Sequence, residues 1–274
     1  MSFNNLCDRQ IAGDYRMKQK VLHYSLSLIV LLLFAFALSS AATKISTQWV
    51  QYLSGEDTVR GYLAMPEGDG PFPALIVIHE WWGLNDWIKQ NADEFARRGY
   101  VALAIDLYRG RSASSSDEAH ELMRGLPEDR AAKDLKSAFV YLTQNTKVNK
   151  EKIASIGWCM GGGYSLAAAL NVKELGAAVI CYGRLVTEND EIKKINCPIL
   201  GIFGEMDRGI PAASAKTFER SAQKLDKAVR VTVYPKVGHA FMNPNNKAGY
   251  DEKTANDAWQ KIYAFFDSKL KAKK

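Results

Sequence analysis

Ser155-Ile156-Gly157-Trp158-Cys159-Met160-Gly161-Gly162-Gly163 is the stretch on which the reading of this chain turns. It closes a β-rich apolar run, Ile153–Trp158, and opens a helical one that reaches about Leu170. Gly157-x-Cys159-x-Gly161 is the G-x-S-x-G pattern of a nucleophile elbow, with sulfur in place of oxygen. Such a turn is crowded, and side chains at the glycines would collide with the elbow or with adjacent strands. The nucleophile is thereby held at the C-terminal edge of a sheet, where ligands bind in open α/β folds. The helix N-terminus behind Cys159 favours negative charge and promotes the thiolate. Other glycine-rich turns fit less well: a phosphate-cradling loop lacks its Lys and Ser/Thr, and a dinucleotide fingerprint lacks its second glycine. A purely structural cysteine remains as an alternative.

Outward from the elbow, short β-rich runs alternate with helical patterns. Upstream lie an early strand at Val59–Met65, a Pro/Gly turn, and the continuous apolar run Ala74–Ile78 of a strand buried on both faces. A helix over Asp86–Arg98 is stopped by Gly99, and Tyr100–Ile105 is the next strand. A polar loop leads to helices around Glu118–Gly125 and from Pro127 to about Gln144. Downstream come apolar runs at Gly176–Tyr182 and Ile199–Phe203, a helix over Pro211–Leu225, the β-branched Val229–Tyr234, and a closing helix over Glu252–Leu270. Repeated strand–helix units predict an α/β fold, a mostly parallel sheet with helices on both faces. No repeat or linker divides it, so one domain is expected over residues 42–274.

Chain order adds to the elbow. In this arrangement a carboxylate and then a histidine follow the nucleophile, each after a later strand. Ile199–Phe203 is followed by Gly204-Glu205-Met206-Asp207-Arg208-Gly209, and Val229–Tyr234 by Pro235-Lys236-Val237-Gly238-His239. Asp207 is preferred to Glu205 because it lies further into its loop. Of the four histidines, His23 falls in the N-terminal segment and His120 on a predicted surface helix where a solvated role is expected. His79, just before Glu80, remains a rival to His239.

Bulk properties narrow the alternatives. The 274 residues are 47% hydrophobic and 24% charged, ordinary for a globular protein. The net charge of +6 comes without a basic stripe interleaved with aromatics, which argues against nucleic-acid binding. Leu26–Leu38 is an apolar run preceded by Lys18 and Lys20 and followed by Ser39-Ser40-Ala41-Ala42. That is the pattern of a secretory signal peptide over residues 1–41, with Met17 as a possible true start. The run is short of the roughly 18–20 residues of a membrane span, although an uncleaved anchor is the alternative. Export, to the periplasm in a Gram-negative source, is the expectation. Cys181 and Cys197 fall at opposite ends of successive parallel strands, too far apart for a disulfide, and read as small buried apolar residues. The isolated histidines form no metal-ligand cluster, so neither metal nor cofactor is expected.

From about Thr47 to Ala264 the chain resembles the dienelactone hydrolase (carboxymethylenebutenolidase) family of the α/β-hydrolase fold. The resemblance rests on His79-Glu80-Trp81-Trp82-Gly83-Leu84-Asn85, Asp106-Leu107-Tyr108, Gly157-Trp158-Cys159-Met160-Gly161-Gly162, Gly204-Glu205-Met206-Asp207 and Gly238-His239-Ala240-Phe241. It implies a Cys159–His239–Asp207 triad that cleaves a lactone or ester through an acyl-enzyme, and a Glu80 that pairs with the nucleophile and controls its ionisation. Backbone N–H groups of Trp81 and Met160 are the expected oxyanion donors. Family members acting on dienelactone hold its carboxylate with two arginines. Here Arg109 and Arg111 flank the first position without matching it, and Asn243 stands near the second. Tyr108, Arg109, Trp158 and Asn243 are therefore the candidate substrate-binding residues. The expected partner is a small ester or lactone, with no nucleic acid, no stable membrane span after signal removal, and a monomeric chain. A broader carboxylesterase, or a non-catalytic binding or redox protein retaining the fold, are the rival functions.

Overall fold

Apolar runs bounded by turn residues become the strands of one eight-stranded sheet in the computed structural model, which describes residues 43–271. Strands β1 (Ile45–Ser54), β2 (Asp57–Pro66), β3 (Phe72–Ile78), β4 (Val101–Ile105), β5 (Val148–Trp158), β6 (Ala177–Cys181), β7 (Ile199–Gly204) and β8 (Val229–Tyr234) are ordered β1-β2-β4-β3-β5-β6-β7-β8. Only β2 runs against its neighbours; from β4 to β8 every pairing is parallel. The segment expected to be a signal peptide, residues 1–41, lies outside the described residues. Among the described residues no helix is long and apolar enough to cross a membrane.

The helices are α1 (Asp86–Arg97), α2 (Ser116–Arg124), α3 (Glu128–Gln144), α4 (Met160–Asn171), the short α5 (Asn189–Ile192), α6 (Ala212–Lys224) and α7 (Glu252–Phe266). Asn85 caps α1 and Ser115 caps α2, each accepting a backbone N–H of the first turn. Alternation along β5 shows which helices share a face. Ser155 Oγ meets Ser165 Oγ of α4 at 2.8 Å, whereas the Trp158 ring lies 5.2 Å from Trp87 of α1 and 5.6 Å from Trp259 of α7. Residues three apart on a strand point to opposite faces, so α4 covers one side and α1 with α7 the other. Ala74–Ile78, Val101–Ile105 and Ala177–Cys181 are buried along their whole lengths, as strands sandwiched between two helical layers must be.

Several boundaries differ from expectation. β1 carries no strand signal in the sequence: it is an edge strand, and most of its residues face solvent, which removes the apolar continuity that betrays a strand. β5 starts at Val148 rather than Ile153, because its first residues pair only at the sheet margin. The closing helix ends at Phe266, and a π-turn over Asp267–Lys271 tucks Leu270 into the core.

The connections fix where a site can form. From β3 the chain crosses through α1 to β4 on one side; from β5 it crosses through α4 to β6 on the other. The carboxyl ends of β3 and β5, adjacent strands whose connections diverge, form the topological switch point at which open α/β sheets bind ligands. Glu80–Trp82 follows β3 and Cys159 follows β5.

Candidate active site

Cys159 sits between β5 and α4 with φ of 56° and ψ of −119°, a left-handed backbone that a non-glycine residue adopts only where its surroundings enforce it. Its N–H donates to the Cys181 carbonyl at 3.0 Å, and its own carbonyl accepts the N–H groups of Gly162 (3.0 Å) and Gly163 (3.3 Å). The glycines are sterically required. A Cβ on Gly157 would strike the Gly161 carbonyl, one on Gly161 would strike the Ile78 and His79 carbonyls, and one on Gly162 would strike the Cys181 carbonyl. This contact of Gly161 with the end of β3 brings the Trp81 loop beside the first turn of α4. Neither the Trp81 nor the Met160 backbone N–H donates to an acceptor among the described residues. The first N–H groups of a helix have no internal partner, so Met160 carries a free donor beside the sulfur.

Asp207 and His239 lie on the loops after β7 and β8. His239 Nδ1 is 2.6 Å from Asp207 Oδ2. The other carboxylate oxygen accepts two backbone N–H groups, from Gly209 (2.8 Å) and Ile210 (2.9 Å), so the carboxylate cannot rotate. Burial works against its charge, but the His239 hydrogen bond and those backbone donors hold it below the ordinary carboxylate range. A carboxylate only accepts, so Nδ1 of His239 carries the proton and Nε2 is left for the cleft. Burial also disfavours a charged His239. The Asp207 hydrogen bond and the adjacent Cys159 sulfur outweigh it and push the imidazole up to about 10. The buried Tyr182 ring packs on the imidazole at 5.1 Å between centroids, from a backbone with φ of 39°. Sequence reasoning misses Tyr182; a Tyr-Gly pair ending a buried strand is the signal that marks it.

Glu80 is buried, and its Oε2 accepts from Asn243 Nδ2 at 2.6 Å, while Oε1 has no partner. Burial pushes this carboxyl up to about 7, against the lowering influence of Asn243 and His239. The pairing with the nucleophile implied by resemblance is thus replaced by a pairing with Asn243. Asn243 itself is buried, with Oδ1 accepting from Asn245 N–H at 2.9 Å, so it supports Glu80 and does not line a substrate pocket. Two further substrate-binding expectations are corrected. Trp158 is 0% exposed and lies among Trp87 and Trp259, on the face away from α4. Arg109 directs both terminal nitrogens at the fully buried Asp134, at 2.7 and 2.9 Å. His79, the rival histidine, is also buried: Nδ1 meets the Glu80 carbonyl at 2.6 Å and Nε2 accepts from Leu107 N–H at 3.2 Å. Both ring nitrogens bridge backbone, which makes it a brace between the β3 and β4 loops.

Those two loops form one wall of the cleft. Ala113 N–H donates to the Trp82 carbonyl at 3.0 Å, and Gly83 bridges to Ser112. The half-buried Trp81 ring packs against Trp82 (5.0 Å) and against His120 of α2 (4.6 Å). His120 is exposed, as expected of a surface helix, yet touches Trp81 of the loop after β3. Tyr108 is buried behind them, with its hydroxyl 3.1 Å from Met160 Sδ. Cys181 and Cys197 are free and buried, and burial raises both thiols. Among the described residues no group of His, Cys, Asp and Glu is arranged to hold a metal ion.

Comparison with known proteins agrees over most of the chain. Residues 59–270 match the model of the dienelactone hydrolase family. Protein usf of Aquifex pyrophilus is 34% identical over 230 residues, covering 81% of this chain and 99% of that protein. A "Putative carboxymethylenebutenolidase" of Aquifex aeolicus is 31% identical, covering 82% and 99%. The crystal structure of a "Putative Dienelactone Hydrolase" from Klebsiella pneumoniae superimposes with a TM-score of 0.75 at 28% identity, covering 81% of this chain and 98% of that one.

Proposed function

The chain belongs to the dienelactone hydrolase family and is a carboxymethylenebutenolidase-like ester hydrolase, and on that premise we propose that Cys159, His239 and Asp207 are its catalytic triad. The observation that carries the reading is the array of Asp207, His239 and the Cys159 sulfur at one end of the sheet, with Asp207 fixed by two backbone donors. Cys159 sulfur attacks the acyl carbon, and the carbonyl π pair moves onto oxygen between the Trp81 and Met160 N–H groups. Collapse of this adduct expels the alkoxide or enolate, which takes its proton from His239. The thioester left on Cys159 is then hydrolysed by a water that His239, now neutral, deprotonates. A lactone suits the site because its leaving oxygen stays tethered.

The substrate reading is narrower than the family's. Arg109 is held by Asp134 and Asn243 by Glu80, so neither position offers a free guanidinium to a substrate carboxylate. We therefore assign neutral lactones and short esters, the carboxylesterase reading, ahead of dienelactone itself. The test is a panel of dienelactone, a neutral lactone and a short p-nitrophenyl ester, run with wild type, Cys159→Ala and His239→Ala. Turnover by wild type with both variants dead supports the triad; activity that survives Cys159→Ala rules it out.

A further inference from the structure

We propose that the Tyr108 hydroxyl is a third hydrogen-bond donor to the oxyanion, held in the resting enzyme on the thioether of Met160. The inference deepens the triad reading and rests on it. Three observations carry it.

First, the hydroxyl has one partner, Met160 Sδ at 3.1 Å, and a thioether is a weak acceptor. A phenol with so poor a partner keeps most of its donor capacity for a better acceptor.

Second, its placement follows from the sheet order. Tyr108 leaves the end of β4, and Met160 opens α4 directly after the nucleophile. Between β4 and β5 lies β3, whose end carries Trp81. Tyr108 and Met160 therefore meet beside the carboxyl end of β3, the strand that leads to Trp81.

Third, the ring is held from several sides. It packs 4.8 Å from the buried His79 ring, and the Tyr108 N–H donates to Asp106 Oδ1 at 3.0 Å. The next residue, Arg109, is tied to Asp134. Burial, then the neighbouring Tyr164 and the Cys159 sulfur, push the Tyr108 phenol well above its ordinary range, so it keeps its proton to donate.

The chemistry is differential. When Cys159 sulfur bonds to the acyl carbon, the carbonyl oxygen gains a full negative charge. The Tyr108 O–H exchanges sulfur for that charged oxygen and keeps its proton throughout, so no proton is transferred through it. A donor that improves its partner only as charge develops lowers the barrier without tightening substrate binding.

The test uses the full enzyme, with Tyr108→Phe compared against wild type. Turnover of a p-nitrophenyl ester is measured beside inhibition by an alkyl trifluoromethyl ketone, which Cys159 converts to a tetrahedral hemithioketal. Tyr108→Phe should lower kcat roughly 10²-fold with KM nearly unchanged, and weaken the ketone by a similar factor. Thermal melts should place Tyr108→Phe within a few degrees of wild type, so that the loss is read on a folded enzyme. Tyr108→Phe with unchanged kcat and unchanged ketone affinity overturns the inference. So does a Tyr108→Phe variant whose KM rises while kcat holds, because the hydroxyl then serves ground-state binding. Wild type that turns over no ester or lactone and forms no adduct overturns the triad reading and this inference together; an active Tyr108→Phe overturns this inference alone.

Discussion

Replacing Glu80 by Gln should stabilise the protein in alkaline but not acidic solution, and the size of the effect follows from the burial of one carboxyl. Glu80 is 2% exposed with one oxygen lacking a partner. Its pKa is raised from 4.5 to about 7, by burial above all. A folded-state value above the unfolded one means that the native state binds the proton more tightly. The resulting stability is complete below the unfolded value and is lost as pH rises through the folded one. At 1.36 kcal/mol per unit, ionising Glu80 costs the native state about 3 kcal/mol, of which about 2.5 falls between pH 5 and pH 8. The amide of the Glu80→Gln variant keeps an oxygen for Asn243 and has no charge to bury. Urea denaturation of both proteins at pH 5, 6, 7 and 8 isolates the group, because other titrations largely cancel in the difference. Wild type should fall relative to Glu80→Gln by about 2–3 kcal/mol across that range, or roughly 5–10 °C in Tm for a domain of this size. A difference that stays constant with pH refutes the reasoning, since Glu80 would then ionise as freely in the native state as in the unfolded chain.

Other predictions follow from the same geometry. Asp207→Asn places an amide where His239 needs an acceptor, so kcat/KM should fall by about two to four orders of magnitude with the fold retained in circular dichroism. The His239 ring should titrate near pH 10 by NMR, and Cys159→Ala should lower that midpoint by removing one of the groups that sustain the imidazolium. Asp134→Ala leaves the Arg109 guanidinium without its buried partner and should cost about 3–5 kcal/mol in urea denaturation. Gly157→Ala drives a methyl into the Gly161 carbonyl and should yield a protein with neither soluble expression nor a cooperative melt.

Legibility in the sequence tracks burial and chain locality. β3, β4, β6 and β7 are legible within a few residues, because strands covered on both faces are written as uninterrupted apolar runs, and Val229–Tyr234 is legible to the residue from its β-branched alternation. The edge strand β1 has no such run and escapes the reading. Cys159, Asp207 and His239 can be nominated because each follows a strand in the order the elbow requires. What the order cannot convey is partnership across the chain. Asn243 and Glu80 are 163 residues apart, and Arg109 and Asp134 are joined only when α3 packs beside the β4 loop. Trp158 illustrates the same gap at short range. It is one residue from Cys159, yet strand alternation sends its ring into the core.

The most direct test of the account is to mix the enzyme with a p-nitrophenyl ester, quench in acid within the turnover time, and weigh the intact protein and its peptides. A thioester cleavage mechanism predicts a mass increase of one acyl group, located on the peptide that contains Cys159 and absent from Cys159→Ala. Turnover with no acyl adduct under any quench time, or an adduct on another residue, would contradict it.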